Sequence, residues 1–144
     1  MFSEVAEKRV KEERIPMSNA HIQVYGKKNP NLPFHPAVRA GDFVFLSGQV
    51  AKDEDGNMVS GTIEVETHAT LKSCKRILES ARCTLEDVVK VTVFLEDARD
   101  FGRYNGVFKE YFPDGRLARS TVEARAVIST RIEIEMTAYK PLAK

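Results

Sequence analysis

The stretch RSTVEARAVISTRIEIEM, residues 119–136, sets charged or hydroxyl side chains against apolar ones in alternation at both of its ends. Successive strand side chains point to opposite faces, so this pattern marks two half-buried strands, about 119–127 and 131–139. In the second, Ile132, Ile134, Met136 and Ala138 share one face, and Arg131, Glu133, Glu135, Thr137 and Tyr139 share the other. The first puts Arg119, Thr121 and Glu123 on one side and Ser120, Val122 and Ala124 on the other. Read as a hairpin across Ile128, Ser129 and Thr130, with polar faces coinciding, the pair places Arg119 and Glu133 in one layer. Two meanings are open for that layer. It is either a solvated face with cross-strand ion pairs of modest value, or a surface holding an acid and a base for chemistry.

Working back along the chain, Phe101, Tyr104, Val107, Phe108 and Tyr111 recur at helical spacing, and Pro113-Asp114-Gly115 closes that helix. KVTVFLE (90–96) reads as a strand. Ahead of it, Thr84 with Asp87 three residues on has the form of a hydroxyl cap answered by a carboxylate. An apolar stripe of Val65, Leu71, Cys74, Ile77, Leu78 and Ala81 predicts a helix over 65–81, with His68 near its start. Two earlier strands, HIQVYG (21–26) and DFVFLSGQV (42–50), flank the proline- and asparagine-rich loop KKNPNLPFHP, and KDEDGN (52–57) supplies turn chemistry. Gly48 interrupts the second of these strands, as a bulge alone or as a close approach of backbone to something else. MFSEVAEKRVKEERIP (1–16) has the character of an amphipathic helix with Val5 and Val10 on one side, ended by Pro16.

The predicted order is strand, strand, helix, strand, helix, strand, strand. Two helices cover one face of a sheet of about four to six strands, which makes a two-layer α+β fold with the other face bare. The expected organisation is one domain over residues 1–144, with 1–20 as an N-terminal extension. At 144 residues and 42% hydrophobic content the chain can bury one core, and no apolar run is long enough for a membrane span. Lys and Arg number 22 against 21 Asp and Glu, a formal charge of +1, and no block of like charges marks a nucleic-acid or acidic-lipid surface. The charged N-terminus lacks a secretory apolar run and mixes Arg with Glu unlike a mitochondrial presequence, which leads us to expect a cytoplasmic protein. Cys74 and Cys83 are too few for a disulfide framework and read as buried thiols. His21, His35 and His68 fall on different elements without metal-ligand spacing, so neither a metal nor a cofactor is expected.

The triplet ARS (118–120) followed by IEIE (132–135), together with LSGQV (46–50), VKVTVFLEDARDF (89–101) and YNGVFKEYF (104–112), resembles the RidA family of enamine and imine deaminases, also called YjgF/YER057c/UK114, from about Asn29 to Tyr139. The resemblance implies a fold similar to trimeric chorismate mutase, a homotrimer packed through bare sheet faces, and sites in the clefts between subunits. It implies hydrolysis of 2-enamino or 2-imino acids to 2-keto acids and ammonium, with no cofactor, no nucleic acid and a small carboxylate as substrate.

By the same resemblance Arg119 grips the substrate carboxylate. A guanidinium suits that role, being a planar fork of donors charged at any physiological pH. An inter-subunit ion pair is its structural alternative. Glu133 manages water and protons, with Glu135 on the same face as rival. Ser47, Gly48, Asn105 and Thr121 join the substrate-binding set. Asn105 can also be an ordinary helix asparagine, and Gly48 an ordinary bulge. The chain departs from the family at Ala37, where relatives carry the tyrosine of a Gly-Pro-Tyr, and at Thr121, where they often carry cysteine. It is also one residue shorter between Arg119 and Glu133. A 2-aminomuconate-type deaminase, an RNA-binding ribonuclease or translation inhibitor, and a ligand-binding trimer without turnover are the rival functions.

Overall fold

The computed structural model describes residues 21–143; the extension 1–20, with its expected helix, lies outside the described residues. In chain order the elements are β1 (Ile22–Tyr25), β2 (Ala37–Ala40), β3 (Phe43–Leu46), α1 (Ile63–Ser80), β4 (Val88–Leu95), α2 (Phe101–Tyr111), β5 (Ala118–Glu123) and β6 (Ile132–Tyr139). The strands form one six-stranded sheet in the order β1-β2-β3-β6-β4-β5, antiparallel except where β4 runs parallel to β5. The architecture is the expected α+β one, with both helices packed on one face. One strand was not foreseen. AVRA (37–40) is too short to show a period, and it pairs with β3 through a turn at Gly41, whose φ of 59° suits glycine.

The expected hairpin between the last two strands does not form. β5 pairs with β4, setting Val91 opposite Arg119 and Val93 opposite Thr121, while β6 lies between β3 and β4. The cause is the β4–α2–β5 crossover, which returns the chain parallel to β4 on its free side. Residues 124–131 then pass around the end of β4, where Ala124 N–H donates to Leu95 O at 3.0 Å and Glu96 N–H to Arg131 O at 3.0 Å.

α1 begins earlier than its apolar stripe suggests, because Thr62 caps it and accepts the Val65 N–H at 3.3 Å. At its other end Cys83 N–H reaches Leu78 O at 2.8 Å and Arg82 N–H reaches Glu79 O at 3.0 Å, with Arg82 in the left-handed conformation at φ 60°. The Thr84 cap is present as predicted, its N–H donating to Asp87 at 2.7 Å. Between helices and sheet lie Leu71, Cys74, Leu78, Tyr104, Val91, Val93, Ile132 and Ile134, all buried. Each large aliphatic one contributes roughly 1.5–3 kcal/mol of transfer free energy. Both cysteines are free and buried, as read from the sequence, and burial pushes the Cys74 thiol up to about 12. Among the described residues no helix is long and apolar enough to cross a membrane.

The opposite face of the sheet carries no helix. Ile22, Val24, Phe43, Phe45, Val122 and Tyr139 project from it, each more than 40% exposed, and the Phe43 ring lies 5.2 Å from Tyr139. Isolated apolar side chains on a surface are ordinary, but Phe43, Phe45 and Tyr139 adjoin one another, and a contiguous apolar patch is a feature of contact surfaces.

One buried carboxylate sets the entry to β6. Glu66, in the first turn of α1, is 4% exposed and accepts from Arg131 N–H at 3.0 Å and Thr130 Oγ1 at 3.3 Å. The Arg131 guanidinium, half exposed, pairs with it at 3.1 Å. Glu66→Ala strands these donors and is expected to cost about 1.5–3 kcal/mol in chemical denaturation, whereas Arg131→Ala, at the solvent end, costs about 1 kcal/mol or less.

Candidate functional site

β5 is an edge strand, and its pairing with β4 turns Arg119 and Thr121 toward the helix side. There the Arg119 guanidinium carbon lies 4.6 Å from the Phe108 ring centroid, 5.2 Å from Tyr104 and 5.8 Å from Phe101. These rings stand at successive helical positions of α2, a bed that attracts a cation through the ring quadrupole. None of the ion pairs among the described residues involves Arg119. The guanidinium opens on a groove of about 300 Å³ whose walls include Asn105, Phe108, Phe112 and Leu117. Two residues along β5, Thr121 Oγ1 is hydrogen-bonded to the hydroxyl of Tyr104. Burial pushes the Tyr104 phenol upward, against smaller opposing effects of Thr121 and Arg119.

A second cluster forms on the bare face. β3 and β6 pair in register from Phe43 opposite Tyr139 to Phe45 opposite Thr137, a register that would bring Gln49 opposite Glu133. Gln49 instead exchanges backbone bonds of 2.8 and 2.9 Å with Ile134. The 46–48 stretch therefore carries one extra residue, the bulge expected of Gly48. The close approach is there as well. A Cβ on Gly48 would stand 3.0 Å from the Glu133 carboxyl carbon, so glycine is what leaves that carboxylate its place. Ser47 is tied back to the preceding loop, its Oγ donating to His35 O at 2.7 Å and its N–H to Pro36 O at 2.9 Å. Glu133 is half-buried, and burial first, then the Glu135 charge, pushes its pKa above the ordinary carboxylate value. Glu135 itself is exposed, opposite Thr92.

The structure brings Arg119 together with Asn105 and Thr121, and Glu133 together with Gly48 and the neighbouring Ser47. It does not put Arg119 and Glu133 in one layer. Arg119 is level with Val91 and Glu133 with Phe94. Val91 and Phe94 are three residues apart on one strand, so their side chains point to opposite faces. The shared layer inferred from a β5–β6 hairpin is corrected accordingly.

Sequence reading passed over Phe101, Tyr104 and Phe108 as site residues, because helical spacing assigned them to the core. Ala37, in the place of the family tyrosine, is fully buried in β2. His68 bonds through Nδ1 to the Tyr111 hydroxyl at 2.9 Å and lies 3.4 Å from Glu110, a link between the helices. Among the described residues no group of three or more His, Cys, Asp or Glu is arranged to hold a metal ion.

Together these features define a class: a small α+β subunit with an aromatic-bedded arginine on its edge strand, an acid against a glycine bulge on an inner strand, and a bare apolar sheet face. The profile of the family described as Endoribonuclease L-PSP matches residues 26–140, and the chain belongs to that family, the RidA/YjgF family. A RutC family protein of Pyrococcus horikoshii is 44% identical over 110 residues, 75% of this chain and 87% of that one. The 2-iminobutanoate/2-iminopropanoate deaminase of Homo sapiens is 37% identical over 110 residues, 75% of this chain and 80% of that one. The crystal structure of a putative endoribonuclease from Thermotoga maritima superposes with a TM-score of 0.77 at 40% identity, covering 82% of this chain and 97% of that one.

The Glu133 carboxyl is expected to titrate above a free glutamate in a carbon-detected NMR titration, and Glu135→Gln to lower it by removing the like charge. The fold favours protonated Glu133. Its contribution to stability is therefore greatest at low pH, and declines as pH rises from the ordinary carboxylate value through the raised one.

Proposed function

We propose that this protein hydrolyses small 2-imino acids and their 2-enamino tautomers to 2-keto acids and ammonium. The observation that carries the reading is Arg119, a guanidinium bedded on three rings, without an acid partner among the described residues and facing a groove beside Asn105. A carboxylate fits that fork with two parallel donors, and Phe108, Phe112 and Leu117 among the groove's otherwise mostly polar lining suit a short aliphatic side chain. The human relative's name, an imine deaminase, gives the same substrate class.

Glu133 serves as the acid–base group. Water adds to the carbon of the protonated imine as one of its protons passes to the carboxylate; the carboxyl returns that proton to the carbinolamine nitrogen, and as the C–N bond breaks and the ketone forms the hydroxyl proton passes to the carboxylate and on to the departing ammonia, giving ammonium. The raised pKa brings the carboxyl closer to the operating pH, as proton transfer in both directions requires. Asn105 and Thr121 hold substrate oxygens, while Gly48 keeps the space around the acid and Ser47 fixes the neighbouring backbone. No metal or organic cofactor enters these steps, since an imine is already an electrophile.

Because Arg119 and Glu133 face opposite ways in one chain, the reading joins the arginine cluster of one subunit to the glutamate cluster of the next, in a homotrimer closed over the bare sheet faces. The cytosol is the proposed setting, and two buried free thiols suit a reducing compartment. With a formal charge of +1 the chain offers little of the attraction on which RNA binding draws, which favours a small-molecule substrate over the ribonuclease in the family's description.

With the imine generated in situ and keto acid followed, Arg119→Ala and Glu133→Gln are each expected to lower turnover on the order of 10²-fold with circular dichroism unchanged. Wild-type rates in both variants would falsify the mechanism, and faster turnover of an aminomuconate than of 2-iminobutanoate would move the substrate class. Light scattering is expected to give three subunits for the wild type and smaller species for Phe45→Glu. A monomeric wild type removes the shared site.

A further inference from the structure

Tyr104 is fully buried on α2, and among the described residues its hydroxyl has a single partner, the Oγ1 of Thr121 on β5. Either oxygen of that bond can donate. If Thr121 donated, the phenol proton would be left without an acceptor among the described residues, at the cost that attends a buried unsatisfied donor. If Tyr104 donates, its proton is used, and the Thr121 proton belongs to a half-exposed side chain free to point outward. The second arrangement satisfies both groups. Burial also holds the phenol in its protonated, donating form.

Thr121 lies two residues from Arg119 on the same face of an edge strand, and Arg119 is already bedded on the Tyr104 ring. We infer that Tyr104 is a positioning residue: by donating to Thr121 Oγ1 it turns the Thr121 hydroxyl proton outward, on the face of β5 that carries Arg119, as a neutral donor for an oxygen of a small carboxylate held by the guanidinium. The arrangement selects an acceptor there and disfavours a substrate N–H. A hydrogen bond received by a hydroxyl also strengthens the one it gives. The identity of the substrate as an imino acid rests on the proposed deaminase reading; the donor arrangement does not.

Four variants and two measurements test it: steady-state kinetics on imine generated in situ, and calorimetric affinity for the stable 2-keto acid. Thr121→Val removes the donor at constant shape and is expected to raise both KM and the keto-acid Kd about tenfold while kcat changes little, the size of one hydrogen bond. Thr121→Ser keeps the hydroxyl and is expected to rescue most of the affinity that Thr121→Val loses. Tyr104→Phe keeps the ring under Arg119 but frees the Thr121 hydroxyl to rotate, raising KM and Kd about threefold. The double variant Thr121→Val with Tyr104→Phe is no weaker than Thr121→Val alone, because Tyr104 acts only through Thr121. Unchanged affinity in Tyr104→Phe, or additive losses in the double variant, overturns the inference. Keto-acid binding that depends on both hydroxyls in a protein showing no turnover supports it while sinking the deaminase reading. A wild type that binds no keto acid sinks both.

Discussion

The register of β4 against its two neighbours governs where every candidate residue ends up. Val91 holds Arg119 level on one side and Phe94 holds Glu133 level on the other, and the odd spacing between them sends the two side chains to opposite faces. A shift of one residue would turn Arg119 to the bare face in the β4–β5 pairing, and in the β4–β6 pairing would bury Glu133 among the helices and expose Ile132 and Ile134. Burial of those two isoleucines, with Met136 and Ala138, is what locks β6 in place. The core thus decides the orientation of the polar groups, although none of them contributes to it.

Each of the two clusters is held by a local device with its own cost. On the arginine side, Phe101, Tyr104 and Phe108 take a guanidinium partly out of water without giving it a carboxylate, leaving its donors unspent. On the glutamate side, a bulge interrupts the β3–β6 ladder and sets a residue without a side chain against a carboxyl group. The bulge gives up a regular ladder position; what it leaves is a half-buried acid with a raised pKa. The bulge opposes local stability, and sheet and helix packing carry it. Deviations from local consistency of this kind belong at functional sites.

Much of this was legible in the sequence because it is local. The apolar stripe of α1 and the Thr84–Asp87 cap follow from contacts within a few residues, and a glycine inside a strand pattern marks the bulge by residue type alone. The partners of the strands did not follow. Alternation tells which residues of a strand share a face, but not which neighbour the strand takes, and β5 took β4 through the α2 crossover rather than β6 through the nearer turn. From that one pairing came the misplacement of Arg119. β2 was missed because AVRA is too short to show a period, and the aromatic bed because a ring at helical spacing looks alike whether it packs on an aliphatic or a cation.

The two clusters also bear on the symmetry of the assembly proposed here. They are different patches on different faces, so a contact joining the arginine cluster of one subunit to the glutamate cluster of the next is heterologous rather than self-complementary. A twofold interface pairs residue i with j and j with i, so to join these clusters it would have to contain groups from both faces of one sheet. Heterologous contacts close only by going round a ring, and an open chain of them leaves one unmatched patch at each end. The exposed and adjoining Phe43, Phe45 and Tyr139 supply apolar surface that the proposed closed ring would remove from water. A ring is the arrangement in which that burial and the completion of every site happen together, so affinity between subunits and competence of the site rise and fall as one quantity.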